Sequence, residues 1–372
     1  MDESGRSGLP GLAGAARGRS RGAPGRPVRV RAAVLAAAAW LVACGSSAAS
    51  EEGLAAAARR WVEAEGERLT ALAGAPSGEP DDAGGELAAE LAAIAEDAAA
   101  GRPLRALSRT VAARLRVEAV AYARERATAL ADLPALEREA AAVGAEVDQL
   151  TDRVRGAGES VPEMLRALAE SLLVKARAYR SAAVPYARVD SIESGRYYLG
   201  ASRAFVATAA ELVSLPVAVE TPAPPPAGLA AALDALDRRA IEAYRVPGAE
   251  VERHGEFINL NARIKEARDL LDDGGIRGAL YAHLDALRRL EEATGGGSPA
   301  PGAGSPDRAA LERTAGAWRR RCAETPWDTS LGRLYVESAE AELAGDSEGL
   351  GRARILLEVV LPEYFARHEE TS

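Results

Sequence analysis

The stretch LEREAAAVGAEVDQLTDRV, residues 136–154, decides the fold class. Its apolar residues Leu136, Ala140, Val143, Val147, Leu150 and Val154 are spaced alternately four and three apart. That is the seam of a helix packed against another helix. Beyond it, RGAGES (155–160) breaks the helix, with Ser160 expected as the N-cap of the next helix and Pro162 near its first turn. That next helix carries Val161, Leu165, Leu168, Leu172 and Tyr179 on one face. Upstream, Leu104, Leu107, Val111, Leu115 and Tyr122 mark a further stripe, and Pro134 separates it from the seam. These spacings predict long antiparallel helices in a bundle or coiled-coil hairpin. A dimerisation seam stays open as a second use of the same stripes.

Helical periodicity continues through most of the chain, with almost no alternation of period two. Only Val217–Glu220 could pass for a strand, and prolines hem it in. The expected fold class is therefore all-α. Aromatic residues make up 4% of the 372 residues and alanine is abundant, so each helix has little apolar area to bury. Such a fold needs long helices or many of them.

Three breaks punctuate the pattern: 73–86, the Pro-rich 214–228, and the Gly/Pro/Ser-rich 294–307. They divide the chain into a leader, 1–43; an N-terminal stretch with a short helix and linker, 44–86; a helical bundle, 87–213; a Pro-rich linker, 214–228; a helical hairpin region, 229–293; a flexible linker, 294–307; and a C-terminal hairpin, 308–372.

The leader has the parts of a secretory signal: Arg26, Arg29 and Arg31, then an uncharged run from Ala32 to Ala43. The run is too short to span a bilayer, which needs about 20 apolar residues. Leu41-Val42-Ala43-Cys44 resembles the lipobox of bacterial lipoproteins. The resemblance implies cleavage before Cys44, lipidation of its sulfur and amino group, and anchorage of the chain to the membrane through those acyl chains. By the same resemblance Gly45, where an aspartate would favour retention at the inner membrane, points to the outer membrane facing the periplasm. Residues 1–25 are Gly/Arg-rich, lack periodicity and read as disordered. Of 46 Lys plus Arg only Lys175 and Lys265 are lysine, a bias of GC-rich coding, and translation starting at Val28 or Val30 would leave 1–27 unmade.

The hairpin region holds a second resemblance. Ala267, Leu270, Gly274, Ile276, Ala279 and Ala286 are similar to the small-residue skeleton of a tetratricopeptide repeat. The resemblance implies tightly crossed helices that bind other proteins. Arg263 stands at the first large-apolar position, His283 where an aromatic is usual, and no proline closes the repeat at Glu291. Residues 331–365 and Leu199-Gly200 match more weakly. Stacked hairpins predict contacts only between sequence neighbours, whereas a bundle would pack residues 104–131 against helices far along the chain.

The densest aromatic patch is Tyr179, Tyr186, Tyr197, Tyr198 and Phe205. These rings suit an interaction surface, because tyrosine brings contact area at low entropic cost; filling the core of an Ala-rich bundle is the other reading. Residues 1–43 carry seven arginines and two acids, a charge of +5; their removal takes the net charge from −9 to −14. A body this acidic repels phosphate backbones, so nucleic acid is not an expected partner. His254, His283 and His368 form no metal-ligand spacing, and no phosphate loop or nucleophile elbow occurs. Asp272-Asp273-Gly274-Gly275 reads as a helix C-terminus rather than a calcium loop. Cys322 reads as a buried small hydrophobe, with a reactive thiol as the alternative, and Trp318–Cys322 as a basic helix face paired with nearby glutamates, with contact to lipid headgroups or an acidic partner as the other reading. The expectation is a non-enzymatic lipoprotein without metal or cofactor, scaffolding an envelope protein partner. The alternative is a ligand-binding accessory protein of an envelope transport system, with the 179–205 aromatics lining an apolar cavity.

Overall fold

The seam of 136–154 lies on a helix, and all six of its apolar residues are buried, Leu136, Val143 and Val147 completely. The computed structural model describes residues 53–73, 83–157, 160–217, 219, 221–246, 253–295 and 307–369. Cys44 and the leader 1–43 lie outside these residues. The elements in order are α1 (Leu54–Ala73), α2 (Ala83–Ala99), α3 (Pro103–Glu125), α4 (Leu133–Gly156), α5 (Glu163–Val189), α6 (Ile192–Val213), α7 (Leu229–Tyr244), α8 (His254–Asp272), α9 (Ile276–Ala293), α10 (Arg308–Glu324), α11 (Ser330–Leu343), α12 (Ser347–Ile355), a π-helical turn (Leu356–Val360) and α13 (Leu361–Glu369). No strand occurs among the described residues. The fold is all-α, and the described residues belong to one compact unit.

Helix α5 is the centre of the body. It packs along α6 and α4, and its other faces meet α8, α9 and α11. Helix α3 packs against α6 and, far along the chain, against α11. These long-range contacts are those of a bundle rather than of a stack of neighbouring hairpins. Glycines set the closest approaches. A Cβ on Gly195 would lie 2.6 Å from a methyl of Leu136 and 2.8 Å from the carbonyl oxygen of Ala183. One on Gly200 would lie 2.7 Å from the carbonyl oxygen of Ala119. Helix α6 thus lies backbone-close to α5 on one side and α3 on the other.

Local signals explain several helix ends. Asp132 caps α4 by accepting from Ala135 N–H at 2.8 Å, with Pro134 in the first turn. The end of α8 at Asp272 is closed by Gly274, at φ +77°, and Gly275, whose N–H groups donate to Leu271 O and Leu270 O. This is the glycine-ended closure in which a left-handed residue returns the chain to the last turn.

Three other helices carry no cap of their own and are capped from across the molecule. Glu337 of α11 accepts from Leu104 N–H at 2.8 Å and Arg105 N–H at 2.9 Å, at the start of α3. Asp328, in the α10–α11 loop, accepts from Glu163 N–H at 2.5 Å, and the Ser330 hydroxyl accepts from Met164 N–H at 3.0 Å. Glu170 of α5 accepts from Gly278 N–H at 2.7 Å, at the start of α9. A carboxylate satisfies the orphan donors of a helix start and complements its dipole. Ser160 is not the cap of α5 that its position suggests. The helix starts at Glu163, leaving Val161 outside it, and the Ser160 hydroxyl donates back to Ala157 O at 2.6 Å. Asp328 and Ser330 already occupy the donors that Ser160 would take.

Candidate functional site

The five aromatic residues singled out in the sequence come together on the α5–α6 seam. Tyr179 and Tyr186 are seven residues apart on α5, and Tyr198 and Phe205 are seven apart on α6, so each pair lies on one face. Tyr186 stacks on Tyr198 at 4.4 Å; Tyr179 lies 5.5 Å from Tyr198 and 5.2 Å from Phe205; Tyr197 meets Tyr198 edge-on at 6.0 Å. Phe205 is buried, Tyr197 is 40% exposed, and the other three are half-buried. Burial, with a hydrogen bond to Tyr186, pushes the Tyr198 phenol up to about 12. None of the five lines the groove or the cleft described below.

The most buried polar constellation is one that no short motif announced. Glu163, in the first turn of α5, accepts from Arg277 Nη1 at 2.8 Å and from the Tyr364 hydroxyl at 2.6 Å, with His368 Nε2 at 3.0 Å. The Glu163 side chain is 1% exposed and that of His368 is fully buried. Arg277 also donates to the carbonyls of Ala223 and Pro224, and His368 Nδ1 lies 2.7 Å from Pro224 O. Ala227 N–H donates to Arg367 O, and Asp328 N–H to Thr221 O. The Pro-rich stretch is therefore an irregular strap stitched to α9, α13 and the α10–α11 loop. Burial and the nearby Glu163 charge push the Tyr364 phenol well up; burial raises the Asp328 acid. Trp327 covers the cluster, 4.8 Å from the His368 ring.

The α8–α9 hairpin is closed by charge. Arg263 pairs with Asp285 across it at 2.6 Å and with Glu266 at 2.6 Å; Arg288 and Arg289 also donate to Asp285. Burial opposes ionisation of Asp285, but the three guanidinium groups outweigh it and hold the acid below its usual range. Lys175 and Arg263 do the same for Glu266 against its burial. His283 turns the other way, its Nε2 3.1 Å from Glu363 of α13. The two positions that depart from the repeat pattern thus carry polar pairings in place of apolar contacts.

Two concave features remain. A groove of about 340 Å³ between α7 and α8 is lined by Ala240, Ile241, Tyr244, Phe257, Ile258 and Ile264, with polar residues at its rim. Ile241 is 45% exposed. A cleft of about 550 Å³ lies between the start of α1, the α2–α3 turn, α10 and α11. It holds Cys322, Trp327, Asp328 and Glu337 together with Arg59, Arg319 and Arg333. Cys322 is buried, and burial pushes its thiol up to about 11. Trp318–Cys322 meets carboxylates of other helices rather than nearby ones on its own: Arg319 pairs with Glu340 of α11, and Arg321 with Glu369 of α13 at 2.5 Å. Among the described residues, no group of three or more His, Cys, Asp or Glu is placed to hold a metal ion, and no helix is long and apolar enough to cross a membrane.

Glu337 gives the cleft a measurable pH dependence. Burial pushes its acid up to about 7 despite the two backbone donors. Unfolded, a glutamic acid titrates near about 4.3. Between those values the folded chain holds a proton that the unfolded chain has lost. This group therefore lowers stability as pH rises from about 4.3 to 7, by about 4 kcal/mol in all. Glu337→Gln keeps an oxygen acceptor for the α3 donors and removes the titration. Its urea midpoint should gain on the wild type between pH 5 and pH 8; an offset equal at both pH values would show that Glu337 does not titrate there.

Comparison with known protein families, with curated proteins and with solved structures returned no match to this chain. Functional assignment rests on the residues themselves.

Proposed function

We propose that this chain is a lipoprotein, tethered through Cys44 to the outer membrane with its helical body facing the periplasm, and that it scaffolds another envelope protein without catalysing a reaction. The α7–α8 groove carries the reading. Ile241, Tyr244, Phe257 and Ile258 line an apolar trough between two helices, Ile241 exposed, Tyr244 and Ile258 half-buried and Phe257 buried at its floor. Contiguous exposed apolar surface rimmed by polar groups is the mark of a contact site. A trough between helices fits the apolar face of an amphipathic helix. The net charge of −14 outside the leader favours a partner segment with basic flanks. The groove lies in the hairpin region that resembles a tetratricopeptide repeat, which supports protein binding by analogy of fold alone. The test is co-purification from membranes: Ile241→Glu places a charge in the trough at an exposed helical position, and it should release the partner while leaving the fold intact.

A further inference from the structure

The Pro-rich strap cannot hold itself in place. Between Thr221 and Gly228, Pro222, Pro224, Pro225 and Pro226 have no N–H, and no side chain carries charge. Its carbonyls are held by basic side chains of α9 and α13. Ala223 O accepts from Arg277, Pro224 O from Arg277 and from His368 Nδ1, each at 2.7 Å, and Ala227 O from Arg367 at 3.2 Å. A guanidinium keeps its charge throughout the range in which proteins fold, whereas an imidazole loses its charge near neutrality. His368 is set to carry that charge. Its Nδ1 faces a carbonyl, which only accepts, so Nδ1 bears a proton. Its Nε2 lies 3.0 Å from Glu163 Oε1, the oxygen that accepts from Arg277 Nη1 at 2.8 Å. A bare Nε2 would set a lone pair against that oxygen in a fully buried site; an imidazolium sets a positive charge there. The groups around the ring come from every side: Glu163 from α5, Arg277 from α9, Asp328 from the α10–α11 loop, and Tyr364 and Arg367 from α13 itself. Arg367 pairs with Glu363, Arg321 of α10 with Glu369, and α11 meets Tyr364 with Gly332.

We propose that His368 is a pH-sensitive latch: as the imidazolium it pins the strap at Pro224, and on losing its proton it releases the strap and with it the start of α7. Helix α7 follows the strap directly, at Leu229, and forms one wall of the α7–α8 groove. The latch stands whether or not that groove holds a protein. In the released state the imidazole is exposed and titrates near about 6.5. Above that pH the latched state holds one more proton than the released state. The opening constant therefore rises by up to about tenfold per pH unit, until the latched ring gives up its proton. Hydrogen exchange of untagged full-length protein in neutral maltoside micelles, corrected for intrinsic rate, follows this at the Ala227 N–H, which donates to Arg367 O, and in the first turn of α7. Between pH 7 and pH 9 opening there should rise by roughly fivefold or more, while the buried amides of α4 stay unchanged. His368→Gln keeps a donor for Pro224 O without titrating and should flatten the profile. His283→Gln, which removes the ring beside Glu363 on α13, should keep the slope. Nitrogen-15 NMR of the three histidine rings of the wild type needs no variant. At pH 7.5, where an exposed ring is mostly neutral, it should show one ring protonated at both nitrogens. A flat exchange profile in the wild type, a slope that survives His368→Gln, or no doubly protonated ring overturns the proposal.

Discussion

Glu163→Ala is expected to destabilise the protein by about 3–5 kcal/mol, the cost of removing one partner from a buried charge pair. The carboxylate is the common acceptor for Arg277 and Tyr364, and His368 Nε2 lies 3.0 Å from it. Without it the buried Arg277 guanidinium keeps only the carbonyls of Ala223 and Pro224, and the fully buried Tyr364 loses its acceptor. The loss should spread, because the cluster joins the start of α5, the Pro-rich strap, α9 and α13. Tyr364→Phe removes a single hydrogen bond and should cost only about 1 kcal/mol. Pairing Glu163→Leu with Arg277→Leu should recover much of the loss, since two apolar groups leave no buried charge behind. Urea unfolding of the four proteins measures this. A Glu163→Ala midpoint close to that of Tyr364→Phe would mean that the cluster does not hold the strap and α13 to the body.

Gly195→Ala should destabilise by about 1–3 kcal/mol although it removes a glycine from the interior of a helix. On propensity alone the change would stabilise by up to about 1 kcal/mol. The added Cβ would, however, lie 2.6 Å from both Ala187 Cβ and Leu136 Cδ2 and 2.8 Å from Ala183 O. A backbone carbonyl cannot rotate away, so α6 must move off α5 and α4. Gly66→Ala is the matched control, inside α1 with nothing within 4 Å of the new methyl, and it should stabilise. Opposite signs in thermal unfolding support close helix approach as the basis of the bundle. A stabilising Gly195→Ala would show that α5 and α6 are not packed as tightly as described.

Those two variants also mark what the sequence could and could not convey. The seam of Leu136 to Val154 was readable because a helix repeats its face every 3.5 residues, and burial of all six residues follows from that period. Leu104, Leu107 and Val111 were readable for the same reason. The aromatic pairs at Tyr179/Tyr186 and Tyr198/Phe205 each span two turns, so their sharing of a face was legible. Their meeting across α5 and α6 depends on Gly195 and Ser202, whose hydroxyl donates to Ala176 O at 2.8 Å. No local pattern announces that contact. Helix starts divide in the same way. Asp132 sits beside the helix it caps, whereas Asp328, Glu337 and Glu170 cap helices more than a hundred residues away in the chain. The Glu163 cluster draws on α5, α9 and α13, and its members have no common spacing. A search for closely spaced catalytic or metal-binding motifs passes over it for that reason. Arg263 and His283 stood out as departures from a repeat pattern, and each proves to pair with an acid, Asp285 and Glu363.

The role proposed for the α7–α8 groove is to hold an envelope protein against a membrane-tethered helical body. The most direct measurement is affinity purification from detergent-solubilised membranes of cells expressing wild type, Ile241→Glu and Cys44→Ser chains, read by mass spectrometry. A defined set of envelope proteins should accompany the wild type, be depleted from Ile241→Glu at equal yield and equal melting temperature, and be missing from the membrane fraction of Cys44→Ser, which should itself leave the membrane. Recovery of the same proteins with Ile241→Glu, or retention of Cys44→Ser in the membrane with residues 1–43 intact, would contradict the proposed tethered scaffold.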